Sequence, residues 1–373
     1  MASNKNSEHD CHCRSTARRV AILLGGVEAK LPDFDAIVQR FDGIYHQKLS
    51  VLELPVGADS KFHSVGKLRD FLMTQWSSTA SSMRCCWLDP RSSVHEQLAE
   101  LVAAEPLMEW SRERDTPLQS ILEHRRIQTW YQPVFKGDSL QIWGYECLVR
   151  AIADDGQIIS PQRLFQWAKD ENLVFMLDRL CRERHIENCA RLPIDYKPNF
   201  LINFLPTVIY DPAVCLASTF AIARRESLDP AQVIFEVVES ELVSDRDHLR
   251  AILDEYRASG FRVALDDVGA GHAGLTLLGD LAPDLIKIDR GLVCKAVESP
   301  LHKTICKSIV EIARAANKLV LAEGVETEAE FYLFRDMGID LYQGYLLGKP
   351  QPIPVTEPLF RPSNPTEDAA QAV

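Results

Sequence analysis

The run FEVVE, Phe235 to Glu239, decides how this chain is read, because it is a short apolar strand signal that closes on an acid. VALDD (Val263 to Asp267), LIKID (Leu285 to Asp289) and LVLAEGVE (Leu319 to Glu326) repeat the pattern. Apolar runs of this length suit the buried strands of a parallel sheet, and a carboxylate at a strand's last position faces the open end of that sheet. Several acids therefore point at one place. In an α/β barrel that place is the C-terminal face, where groups from separate strands converge. Carboxylates gathered so closely cannot all stay charged unaided, and they call for divalent metal ions.

Around these runs the signals alternate. SPQRLFQWAKDENL opens a helix with Ser160 at the N-cap and Pro161 in the first turn, and VSDRDHLRAILDEYRASG ends one at Gly260. A third helix has Thr327 and Glu330 as its capping box and stops at Gly338. Each lies between strand candidates, the βαβ rhythm of a barrel or a doubly wound sheet. Upstream, VAILLG and KLSVLELPV read as strands, and DFDAIVQRF and VGKLRDFLMTQW as helices, so a small α/β domain precedes the barrel. The expected division is a disordered 1–17, a small regulatory domain over 18–110, a linker at 111–116, a barrel over 117–358 and a flexible tail over 359–373.

At 373 residues and 46% hydrophobic content the chain can fill a barrel of about 250 residues and a second core. A net charge of −12 argues against binding polymeric nucleic acid, whose affinity comes from cations on phosphates. The polar N-terminus MASNKNSEHDCHCR lacks the apolar stretch of a secretory signal, and no apolar run approaches the ~20 residues of a membrane span. A cytoplasmic protein is expected. The 10 cysteines lie mostly in apolar or helical segments and read as buried thiols. A zinc site joining Cys11 and Cys13, with His9 and His12, to Cys85 and Cys86 is the alternative.

The blocks YQPVF (Tyr131 to Phe135), GYECLVR (Gly144 to Arg150), NFLP (Asn203 to Pro206), FEVVES, ALDDVGAG (Ala264 to Gly271), IKID (Ile286 to Asp289), AEGVET (Ala322 to Thr327) and QGYLLGKPQP (Gln343 to Pro352) resemble the EAL-domain family, in the family's order. The resemblance implies a modified TIM (β/α)8 barrel of EAL type and a phosphodiesterase that linearises cyclic-di-GMP to pGpG, or an inactive relative. It makes Glu146, Asn203, Glu236, Asp266, Asp267 and Glu323 ligands of two Mg²⁺ or Mn²⁺ ions, and a hard oxygen set of this kind favours those ions over Zn²⁺. Lys287 joins Glu146, Asp266 and Asp267 in the catalytic set. Arg150 and Gln343 bind substrate, and Glu239 and Glu326 support loops or stand behind the ligands. The family also implies a homodimer through the barrel. No block resembles a GGDEF-type synthase.

Two departures stand out. Cys147 replaces the alanine of the signature Glu-Ala-Leu, and VGAGHAGL (Val268 to Leu275) replaces the usual FGTGYSSL, which removes hydroxyls that would anchor the loop. The rival readings are a cyclic-di-GMP receptor without turnover and a protein-binding scaffold. Taken singly, an acid at a strand end is usually a solvated group or a helix N-cap. Together they favour the enzyme.

Overall fold

A computed structural model of the chain describes residues 18–25, 31–56, 60–61, 65–76, 79, 83–88, 93–107, 116–137, 139–171, 173–194, 196–238, 246–269 and 274–362. The expected disordered N-terminus, nearly all of the linker and most of the tail lie outside these residues. The chain divides into two compact units, one of residues 1–126 with 151–177 and one of 127–150 with 178–373.

The first unit holds an antiparallel sheet of β1 (Arg18–Leu23), β2 (Ile44–His46), β3 (Val51–Val56), β4 (Arg84–Leu88) and β5 (Glu105–Pro106), in the order β2-β3-β1-β4-β5. Strand alternation sends Val20 and Ile22 to a core shared with Phe34, Ile37, Leu68 and Leu72 of helices Phe34–Arg40 and Val65–Gln75. It sends Ala21 to a second core with Val51, Cys86 and Leu88. Cys85 belongs to the first core and Cys86 to the second. Their thiols leave opposite faces of the sheet, so the two do not chelate one ion. Burial pushes both thiols up, Cys86 to about 12, and the zinc alternative loses this pair. Its other residues, His9, Cys11, His12 and Cys13, lie outside the described residues. Later in the same unit, Ser160 caps helix Pro161–Asp170, Thr116 donates to Glu171, and Arg126 pairs with Asp154.

The second unit is a closed barrel of eight strands. β6 (Ile127–Lys136) and β7 (Ile142–Ile152) are followed by β9 (Asn199–Asn203), β10 (Val233–Val238), β11 (Arg262–Val268), β12 (Leu285–Ile288), β13 (Leu319–Ala322) and β14 (Leu341–Tyr342). The two-residue β8 (Ile158–Ile159) only extends the end of β7. The order β6-β14-β13-β12-β11-β10-β9-β7 closes through a β6–β7 pairing. All neighbours from β7 round to β14 run parallel, whereas β14 meets β6 antiparallel. β6 is therefore reversed, and a tight turn suffices to join it to β7 where parallel neighbours need a crossover. This is the modification of the (β/α)8 plan.

Helices clasp the outside. Phe235 of β10 stacks on Tyr256 of helix Arg246–Ala258 with ring centroids 4.0 Å apart, and Phe204 and Phe220 meet the same tyrosine edge-on. Each such aromatic pair adds about 0.5–1.5 kcal/mol beyond its buried area. Inside, Val134, Leu201, Ile234, Ala264, Leu285, Leu321 and Leu341 give one apolar residue from each of seven strands to a common layer. No helix among the described residues is long and apolar enough to cross a membrane.

Candidate active site

The site is the next storey of that barrel. Strand side chains repeat every two residues, so the residue two places beyond each member of the apolar layer faces inward again. Those residues are Asn203, Glu236, Asp266, Lys287, Glu323 and Gln343. β7 adds Glu146. On the reversed β6 the same parity runs backwards, to buried Gln132, which the sequence reading did not single out.

At the centre stands Lys287, only 1% exposed. Its Nζ lies 2.6 Å from Glu323 Oε1, 2.7 Å from Glu236 Oε1, 3.0 Å from Asp266 Oδ1 and 4.0 Å from Glu146 Oε1. Asn203 Nδ2 donates to Glu236 Oε2 at 3.1 Å and to Glu146 Oε1 at 3.3 Å, and Gln343 Nε2 donates to Glu146 Oε2 at 2.5 Å. The acids are thus tied to one another through amide donors and one ammonium.

Asp267 joins by a different route. Consecutive strand residues face opposite sides, which would carry Asp267 away from the site. The β11–β12 register shifts between Leu265 and Val268, however, and Asp267 takes a left-handed backbone with φ 56°. This bulge turns both aspartates to one place, with its strain held by the pairing around it. Single carboxylate oxygens of Asp266, Asp267 and Glu323 lie within 4.8 Å of one another.

The electrostatics are unbalanced. Five carboxylates, Glu146, Glu236, Asp266, Asp267 and Glu323, face one ammonium. Burial pushes Glu236 well above the usual carboxylate range, with Lys287 offsetting part of the rise. Glu323 is raised by burial and then by Asp266, and Asp267 by the same two causes to about 6. Burial alone would pull the Lys287 ammonium down, yet Asp266, Glu146, Glu236 and Glu323 together hold it well above the ordinary lysine range. A cluster this short of positive charge fits divalent cations, and its all-oxygen anionic donors fit hard ones. Buried Gln343 Oε1 also has no hydrogen-bond partner among the described residues, so an acceptor is left open at the site.

The remaining residues named from the sequence stand apart from this cluster. The Arg150 guanidinium stacks 4.9 Å over the Trp130 ring and donates to the Val149 carbonyl. Glu326 pairs with Arg290 at 2.8 Å, and Arg290 also donates to the Gly324 carbonyl, so the two brace the turn that follows Glu323. Asp289, the acid that ends LIKID, accepts from the Gly291 and Leu292 amides and caps helix Arg290–Glu298 instead of facing the cluster. Glu239 and residues 270–273 of the VGAGHAGL loop lie outside the described residues.

One support was not visible in the sequence. Fully buried Arg182 donates to Asp178 Oδ2 at 3.0 Å, and Asp178 Oδ1 accepts the Leu205 amide at 3.0 Å, two residues past Asn203. The pair fixes the chain where it leaves the site. Its members lie on the helix before that strand, with Asp178 27 residues from Leu205, and no short-range spacing announces the contact.

Residues 115–350, more than half the chain, match the EAL domain model. The chain is 28% identical over 272 residues to the probable cyclic di-GMP phosphodiesterase PdeA of Escherichia coli, covering 72% of this chain and 37% of that protein. It is 31% identical over 242 residues to the cyclic di-GMP phosphodiesterase PdeF of the same organism, covering 63% and 31%. It thus spans about a third of the length of these relatives. Among solved structures it is similar to a standalone EAL protein from Vibrio cholerae in its c-di-GMP-bound form, at 32% identity and TM-score 0.56, covering 64% of this chain and 98% of that one.

Proposed function

The chain belongs to the EAL domain family, and on that premise we propose that it hydrolyses cyclic-di-GMP to linear pGpG with two Mg²⁺ or Mn²⁺ ions. The observation that carries this reading is the excess of anionic oxygen around a single ammonium at the C-terminal face of the barrel. A receptor or scaffold has no chemical need for so many buried acids.

Glu146, Asn203, Glu236, Asp266, Asp267 and Glu323 would hold the ions, which when bound supply Lewis acidity toward a phosphate oxygen and acidify water. Lys287 keeps its proton and offsets negative charge as the phosphate reacts. The open acceptor of Gln343 orients a ligand or water donor. Arg150 is a guanidinium suited to grip a phosphate through two hydrogen bonds. Glu326 acts through Arg290 on the turn after Glu323, and Glu239 is assigned to support of the 268–275 loop. We assign the protein to the cytoplasm as a homodimer, with residues 18–110 regulating the barrel.

Turnover of cyclic-di-GMP by the purified protein in Mg²⁺, Mn²⁺ and EDTA tests the proposal. Hydrolysis that needs the metal, and that Glu146→Ala and Asp266→Ala each lower by about 10²-fold or more with circular dichroism unchanged, is the expected result. Nucleotide binding without hydrolysis in either metal would favour the receptor, the reading to which the loss of hydroxyls in VGAGHAGL lends weight.

A further inference from the structure

Cys147 lies one residue past Glu146 in β7 and points away from the ligand ring, as strand alternation requires. Its Sγ lies 3.4 Å from Cys189 Sγ on helix Val174–Ala190, which covers that side of the strand. Both cysteines are free and buried. Two thiols in contact, on two different elements, directly behind an acid of the site, have no part in the chemistry proposed above.

We propose that Cys147 and Cys189 form an oxidative modification site, a dithiol that a peroxide-class oxidant converts to a disulfide, displacing Glu146. The chemistry balances. One thiolate sulfur attacks the peroxide O–O bond and gives a sulfenic acid and water. The second sulfur then attacks the sulfenic sulfur and expels water. Two thiols and one H₂O₂ become one disulfide and two waters, and a dithiol reductant reverses the change. The sulfurs must close from 3.4 Å to about 2.05 Å, partly by side-chain rotation and partly by approach of β7 and the helix. Glu146 moves with β7. Its carboxylate accepts from Asn203 at 3.3 Å and from Gln343 at 2.5 Å, and the first of these bonds is long enough that a movement of about 0.3 Å breaks it.

Burial sets the kinetics. Cys147 is 2% and Cys189 4% exposed, so the closed protein gives an oxidant little access to either sulfur. Oxidation therefore waits on local opening of the helix and selects small oxidants, while exposed Cys294 reacts freely and serves as an internal control.

The test treats the reduced full-length protein with H₂O₂, blocks remaining thiols under denaturing conditions, and maps cross-linked peptides by mass spectrometry. Melting temperature and Mn²⁺ binding by calorimetry are followed before oxidation, after it, and after dithiothreitol. The expected result is a Cys147–Cys189 peptide, a reversible change in melting temperature, and Mn²⁺ affinity lower by about tenfold or more, the size of effect that follows when the support of a metal ligand is disturbed. Cys189→Ala should lose all three responses. Oxidation of Cys294 without the Cys147–Cys189 peptide overturns the proposal, as does a peptide whose formation leaves both melting and Mn²⁺ affinity unchanged. The consequence for metal rests on the proposed function. If the reduced protein binds no Mn²⁺, that function fails, while the cross-link and the melting shift still decide the disulfide.

Discussion

Lys287 shows how much a residue's neighbours decide. In the sequence it is one cation in an apolar run, and the family resemblance casts it as a partner of the reacting phosphate. In the structure it is also a counter-ion shared by Glu236, Asp266 and Glu323 in one buried space. Removing one partner of a buried ion pair typically costs about 3–5 kcal/mol. Lys287→Met should therefore melt well below the wild type in EDTA, and Mn²⁺ should raise its melting temperature more than it raises that of the wild type. Equal melting of the two proteins in EDTA would remove the counter-ion role.

His185 makes a second residue-scale prediction. Asn188 Nδ2 donates to Thr129 Oγ1 at 3.0 Å, and the same hydroxyl is hydrogen-bonded to His185 Nδ1 at 2.7 Å, inside the barrel wall. Burial, with Arg184 nearby, pulls His185 down to about 3. Between about pH 3 and 6.5 the unfolded chain binds a proton that the folded chain refuses, so this residue makes stability fall as pH drops below about 6.5. The slope is at most about 1.4 kcal/mol per pH unit. Urea unfolding from about pH 7 to pH 5 should show a shallower dependence for His185→Gln than for the wild type. An unchanged slope would place the imidazolium in the folded state.

Elements were legible where their signals are local. The caps at Ser160 and Thr327, the left-handed Gly338 and the strands that end in FEVV, LIKI and LVLA stand where spacing and capping chemistry put them. Three features were not legible. YQPVF reads as the same apolar run in either direction, so the reversal of β6 needs its partners. Adjacent aspartates give no sign of the bulge that aims both at one place. In RCCWL the cysteine pair drew attention to metal and away from strand β4. The turn after β14 gives a prediction at this scale: a Cβ on Gly344 would meet the Val325 carbonyl oxygen at 2.1 Å and its nitrogen at 2.2 Å. Backbone cannot yield as a flexible side chain does. Gly344→Ala should cost about 3 kcal/mol or more and shift Gln343, read as a lowered urea midpoint. A midpoint within error of the wild type would mean that the turn has a slack conformation.

For the whole molecule, residues 151–177 belong to the first compact unit, although they interrupt the barrel in sequence. Thr116 and Arg126 hold this segment through Glu171 and Asp154, and the segment begins directly after Arg150. A fragment of residues 117–358 loses Thr116 together with everything before it. It should bind cyclic-di-GMP and turn it over severalfold more slowly than the full chain in matched Mg²⁺. Identical rates at identical oligomeric state would leave the first unit without a regulatory part.

The two storeys of the barrel have a consequence for how the protein can fail. Asn203, Glu236, Asp266, Lys287, Glu323 and Gln343 each stand two places beyond an apolar residue, so these strands are read in pairs, like a text without spaces. A substitution misspells one letter and can silence the site while the barrel stands. Loss of a single residue inside β10, β11 or β12 shifts the reading frame, sending the acid or the lysine outward under the helices and an apolar side chain into the ring. Chemistry and folding then go together, and no metal restores either.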